Sequence, residues 1–187
     1  MPLLDESARA PQLAPKAPDM PPANGPLQKL LADQLQFLLS AEQQLTQALP
    51  KMQAAATSAP LRDSFGKHLG ETQQQVVRLQ KALHILDSAD SEQICSTMQA
   101  LIAEGENGIA NTPAGTATRD ASLVLSAQRI EHYEIAAYGG LIEIAKMLGY
   151  REIAGLLYAS LIEEKGADKA LTLVGEGGIN YSAAKEG

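Results

Sequence analysis

The sequence predicts an all-α protein built as two long antiparallel helix hairpins, and three observations predict it. Apolar residues recur in steps of three and four along four long stretches. Aromatic residues make up only 4% of the chain and there is no Trp, so a core must come from Leu, Ile, Val, Ala and Met, which suits packed helices better than stacked sheets. No stretch alternates apolar and polar residues as a half-buried strand would, so no sheet is expected.

Seven of the ten prolines fall within Met1–Pro26, a segment without helical period. Such a segment buries too little apolar surface to offset its ordering entropy, so residues 1–26 are expected to form a flexible tail. The first long helix is expected over Leu27–Ala55, with Leu27, Leu31, Leu35, Leu38, Glu42, Leu45 and Leu49 as its stripe. Pro50 should kink it or mark its last turns. "TSAP" then breaks the chain, with Ser58 a candidate cap and Pro60 an early helical residue. The second long helix runs from there to about Leu86 on a stripe of Leu61, Phe65, Leu69, Thr72, Val76, Leu79 and Leu83.

A shorter helix is expected around Glu92–Ile109, closed by "NTPAGT". The third long helix, Ala117–Leu148, should bury Leu125, Gln128, Ile130, Glu131, Ile135, Tyr138, Ile142 and Ala145. After "LGY" the fourth, Arg151–Gly175, carries Ile153, Leu157, Leu161, Glu164, Asp168 and Leu171, and "GEGGINYSAAKEG" reads as turn-rich and polar. Residues 27–180 thus form one helical bundle domain, with 181–187 a C-terminal tail. A long second-to-third connection holding an extra short helix lets the hairpins pack with a crossover, the arrangement of ferritin-like folds. The halves also align, Leu61 with Ile153, Glu71 with Glu163 and Glu42 with Glu131, as amphipathic helices readily do.

A chain of 187 residues suits one domain with a substantial core. Its formal charge of -7, from 15 Lys plus Arg against 22 Asp plus Glu, excludes counterion release as a source of affinity, so no nucleic-acid partner is expected. The same charge draws cations. Cys95, the single cysteine, excludes an intramolecular disulfide or a thiolate cluster and reads as a small buried apolar residue. No apolar run is long enough to span a membrane, and the N-terminus has neither the basic start nor the apolar block of a signal peptide, so a cytoplasmic protein is expected.

Chemistry enters where acids interrupt the apolar stripes. Glu42 lies between Leu38 and Leu45; His68 and Glu71 share one face of the second helix; Glu131 and Glu134 share one of the third; Glu164 and Asp168, with Glu163 adjacent, share one of the fourth. Singly each reads as a solvated flank residue or a hydrogen-bonded histidine. Together, on stripes without Arg or Lys, ionised carboxylates would repel and carry a large desolvation cost unless protonated, paired or bound to metal. Paired iron or manganese is the solution known inside helical bundles. His84 and His132 read as surface residues, His132 being also a candidate partner to Glu131, and Tyr133 and Tyr138 as packing residues. There is no phosphate loop, no GxSxG turn and no His-Glu-x-x-His helix.

"AEQQLTQALPKM", "LRDSFGKHLGETQQQVVRL", "CSTMQALIAEGE", "AQRIEHYEIAAYG" and "LIEEKGADKALT" resemble the YciE/YciF-like bacterial stress proteins of the ferritin-like superfamily, over roughly Leu27–Asn180. The resemblance implies a bundle close in shape to rubrerythrin, a homodimer, and a centre of two metal ions, with iron expected first and manganese the alternative. By motif it implies Glu42, His68, Glu71, Glu131, Glu134, Glu164 and Asp168 as ligands. The common pattern of the superfamily places Glu-x-x-His on two helices; here the second helix carries His-x-x-Glu and the fourth no His, which implies an oxygen-rich site with Glu163 a substitute for Glu164. The leading expectation is a stress-related di-metal protein that oxidises Fe(II) or reduces peroxide or oxygen, its electron donor unspecified. The alternative is a non-enzymatic bundle acting through assembly or partner binding. Its carboxylates would form hydrogen-bond networks with His68, Gln75, Gln128 and Tyr138.

Overall fold

A computed structural model describes residues 25–88 and 93–186. The tail expected over residues 1–26 lies, up to residue 24, outside the described residues, as does Glu92, the expected start of the short helix. The elements are α1 (Pro26–Ala55), α2 (Ala59–Ile85), α3 (Ser96–Asn111), α4 (Ala117–Met147), α5 (Arg151–Val174), a wide π-type turn over Gly175–Ile179, and α6 (Asn180–Ala183). There is no strand among the described residues.

Some helix ends are set by nearby residues and others by contacts from distant parts of the chain. Pro26 opens α1, where its missing N–H leaves no bond unmade, and the helix continues past exposed Pro50 to Ala55. At the end of α2 the chain closes with Ser88 N–H donating to the Leu83 carbonyl and Asp87 N–H to His84, which places Asp87 at φ 52. The end of α4 repeats this geometry with Gly149 at φ 82, where glycine carries no Cβ penalty. Ser58 occupies the position before α2 but its side chain makes no capping bond. Asp120, 2% exposed at the start of α4, caps in its place, accepting Thr57 N–H and Ser58 N–H at 2.7 Å each. Asp120→Ala orphans both donors and should lower stability by about 1–3 kcal/mol, read as an earlier urea midpoint; an unmoved midpoint would show that water replaces the carboxylate.

The four long helices pack in a square, α1 against α2 and α4, α5 against α2 and α4. The α1–α2 turn meets the start of α4 through Asp120, so α4 begins at the end of the bundle where α2 also begins. The connection must therefore return along the bundle. Its 16-residue α3, about 24 Å long, covers that distance against α1 and α4. Cys95 anchors the return: its N–H donates to Ser40 Oγ, its carbonyl accepts from Gln44, and its sulfur accepts from Met98 N–H to cap α3. No helix of the described residues is long and apolar enough to cross a membrane.

The core is built from aliphatic side chains, with Leu31, Leu35, Leu45, Leu61, Leu79, Ile153 and Leu157 fully buried. Further expectations need correction: Leu27, the first residue of the α1 stripe, is 37% exposed. Leu125 is 57% exposed, and Leu123 and Val124 are buried in its place, because α4 turns toward α1, α3 and α5 together and its inward face is wide. The segment read as a turn-rich tail is helical and docked. Ile179 is buried, and Glu186 accepts bonds from Ala117 N–H at 2.6 Å and Thr118 N–H at 2.9 Å, capping α4 from the far end of the chain.

A candidate metal centre inside the bundle

Three of the four long helices contribute polar side chains to one buried cluster. From α2 comes His68, from α4 Glu131 and Glu134, and from α5 Glu164. All four are buried, and one donor atom from each lies within 4.8 Å of the others. The histidine Nε2 faces inward, 3.3 Å from Glu131 Oε1 and 3.7 Å from Glu164 Oε2. Glu42 on α1, fully buried, faces the same space; its Oε1 accepts from the Tyr138 hydroxyl at 2.6 Å and its Oε2 has no partner.

The other expected ligands stand at the rim. The buried face of α2 runs through His68, Thr72 and Gln75, which turns Glu71 toward the flank, where Lys67 one turn earlier pairs with it. Its Oε2 lies 3.8 Å from His68 Nδ1, the ring nitrogen turned away from Glu131 and Glu164. Asp168 is likewise rotated off the inward face of α5, and His132, 71% exposed at its side chain, approaches it at 3.3 Å rather than partnering Glu131. Glu163 lies beside the cluster rather than in it: Arg78 on α2 holds it by two bonds of 2.6 and 2.7 Å, while Glu164 is fully buried in the cluster.

Thr72 is fully buried on the α2 stripe, and the Arg78–Glu163 clamp joins α2 to α5 through two residues that lie off the apolar stripes. Val76 packs half-buried against the core as its spacing predicts, and Gln75, named above as a carboxylate partner, is fully buried and donates to Glu164. Gln128, expected in a carboxylate network, donates instead to Thr172. The available signal was the run "TQQQ", polar through a position that helical phase places inside.

Burial, and then the neighbouring carboxylates, push Glu42, Glu131 and Glu134 well above the ordinary carboxyl range. Burial also raises Glu164, although His68 opposes the shift. Glu71 moves the other way, held down by the His68 ring and by Lys67. Among the described residues, every buried side-chain oxygen or nitrogen without a hydrogen-bond partner belongs to this cluster or to its immediate surroundings, including both oxygens of Glu134 and both nitrogens of His68. Native interiors seldom leave such groups unmatched. A divalent cation matches them: it supplies the positive charge that the carboxylates lack, and one imidazole with several carboxylates is a donor set suited to iron or manganese.

The domain family described as "Domain of unknown function (DUF892)" matches residues 26–184. Protein YciF of Escherichia coli K12 is 39% identical over 145 residues, covering 77% of this chain and 87% of that protein. The crystal structure of the E. coli stress protein YciF superposes with a TM-score of 0.78 at 35% identity, covering 86% of this chain and 98% of that one. YcfI of Rhodopseudomonas palustris gives 0.76 at 38% identity, over 79% and 94%. A protein of Xanthomonas campestris, at 22% identity and a TM-score of 0.67, shares the fold.

Proposed function

The chain belongs to the DUF892 family, and from that premise we propose that it is a stress-related ferritin-like protein whose bundle holds a pair of metal ions, iron or manganese. The observation that carries the reading is the set of buried, unpartnered carboxylate oxygens and imidazole nitrogens that α2, α4 and α5 bring into one cluster, with buried Glu42 of α1 beside it. Without a cation, these carboxyls must keep their protons or repel one another.

On this reading His68 Nε2, Glu131, Glu134 and Glu164 are the inner ligands, and Glu42 adds its free Oε2. When bound, such a pair supplies redox chemistry toward oxygen or peroxide, or oxidation of Fe(II). The protein's own groups do the rest. Tyr138 orients Glu42 through its 2.6 Å bond, and Gln75 orients Glu164. Glu71 lies on the Nδ1 side of His68, suited to fixing the ring so that Nε2 points inward. Leu45, Leu61 and Phe65 belong to the apolar core that shields the bundle interior from water.

The test is metal content by mass spectrometry on untagged protein grown with iron and manganese and purified without chelators. About two equivalents per chain are expected. A trace amount, with no uptake after anaerobic Fe(II) addition, would rule the proposal out.

A further inference from the structure

A cleft between α2 and α5 leads from the surface to the cluster. It holds about 40 Å³, with Lys67, His68 and Glu71 on one side, Ala167 and Ala170 on the other, and Glu131 beneath. A larger hollow of about 570 Å³ lies at the end of the bundle beside the α1–α2 turn and touches no member of the cluster. A third, of about 330 Å³ between α1 and α4, is lined by Leu30, Phe37, Tyr133 and Ala136 and also touches none.

Resting on the metal-binding reading above, we propose that this cleft is the route by which a divalent cation reaches the cluster, with Glu71 the first carboxylate it meets and Lys67 the charge that gates it. The inner end is polar and poised: His68 is 4% exposed and Glu131 2%, yet neither imidazole nitrogen nor Glu131 Oε2 has a hydrogen-bond partner. The wall is open because α5 places alanines at 167 and 170, where longer side chains would fill the space. The mouth is charged. Lys67 is 69% exposed at its side chain and Glu71 21%, and a pair one helical turn apart in water is weak and exchanges readily.

A cation arriving at the mouth displaces Lys67 from Glu71. It then lies beside His68, whose Nδ1 is 3.8 Å from Glu71 Oε2. The room is on the order of one water molecule's share of the liquid, so the ion must shed hydration as it passes, with carboxylate oxygens replacing the lost water. Until then Lys67 repels it, which slows loading without weakening the site itself.

The proposal is tested on the full-length, demetallated protein by anaerobic stopped-flow mixing with Co(II) alone, reading both the rate of appearance of the visible bands and their final amplitude. Lys67→Gln, at an exposed position, should load about three- to tenfold faster at low salt, and the difference should shrink as salt is raised. Ala170→Leu should slow loading by about an order of magnitude or more while reaching the wild-type amplitude. Ala136→Leu, in the α1–α4 groove, should leave the rate unchanged. Wild-type rates in both Lys67→Gln and Ala170→Leu, at full amplitude, would overturn the route and leave the metal site standing. No Co(II) bands in the wild type would overturn the site and the route together.

Discussion

Loading the demetallated protein with Fe(II) or Mn(II) is expected to raise its thermal midpoint by about 8–16 °C and to reverse the pH dependence of that midpoint. A ligand at about a thousandfold its dissociation constant stabilises by about 4 kcal/mol, and a chain of this size gains about 2–4 °C per kcal/mol. The pH effect follows from the buried carboxyls. Glu42, Glu131, Glu134 and Glu164 are raised by burial in the folded state, so between the unfolded and folded values the native protein holds protons that the unfolded chain has released. Their contribution is complete below the unfolded value and is lost as the pH rises through the folded ones. The metal-free protein should therefore melt higher at about pH 5 than at about pH 7. Metal requires the deprotonated ligands, so the loaded protein should show the opposite order. Calorimetry on both forms checks this, with the Glu134→Leu variant separating the cluster from other titrating groups. A metal-free midpoint that climbs between pH 5 and 7 in step with that variant would contradict the account.

Glu134→Leu is expected to abolish metal retention and to stabilise the metal-free protein by about 1–3 kcal/mol. Glu134 is fully buried and neither of its oxygens has a hydrogen-bond partner, so an aliphatic side chain of similar volume leaves no donor or acceptor orphaned. It also removes a carboxyl that burial, and then Glu42, Glu164 and Glu131, hold well above the ordinary range. The alternative, a bundle whose carboxylates serve as a structural hydrogen-bond network, requires the reverse: loss of a network member should destabilise. Urea titration of the metal-free wild type and variant, beside their metal contents, separates the two. A variant less stable than the wild type would favour the network.

The fold was legible because helical period is a local property. Leu31, Leu35, Leu38, Leu45 and Leu49 all lie on the buried side of α1, as their spacing required, and Glu42 is buried among them. The site was legible at the level of which helices contribute. It was less legible at the level of which neighbour points inward. Helical phase advances about 100° per residue, so Glu163 and Glu164, or His68 and Glu71, stay equivalent candidates until the helix is rotated against its partners. The "EE" pair is resolved by a residue on another helix, Arg78, which draws Glu163 outward. Glu71 stays at the flank because the buried face of α2 runs through His68, Thr72 and Gln75, and Lys67 of the same helix pairs with it there.

By itself the sequence determined the all-helical architecture, the order of long and short helices, and the four acid-bearing helix faces, since each depends on spacing within one segment. The tertiary structure alone decided four things. His68, Glu131, Glu134 and Glu164 form the inner group while Glu71 and Asp168 stay at its edge. Gln75 is fully buried beside Glu164, while Val76 packs half-buried against the core. Asp120 caps α2, and Glu186 caps α4 across 69 residues of chain. All four depend on the rotation and docking of one helix against another. That is set by packing between segments distant in sequence, which no local period encodes.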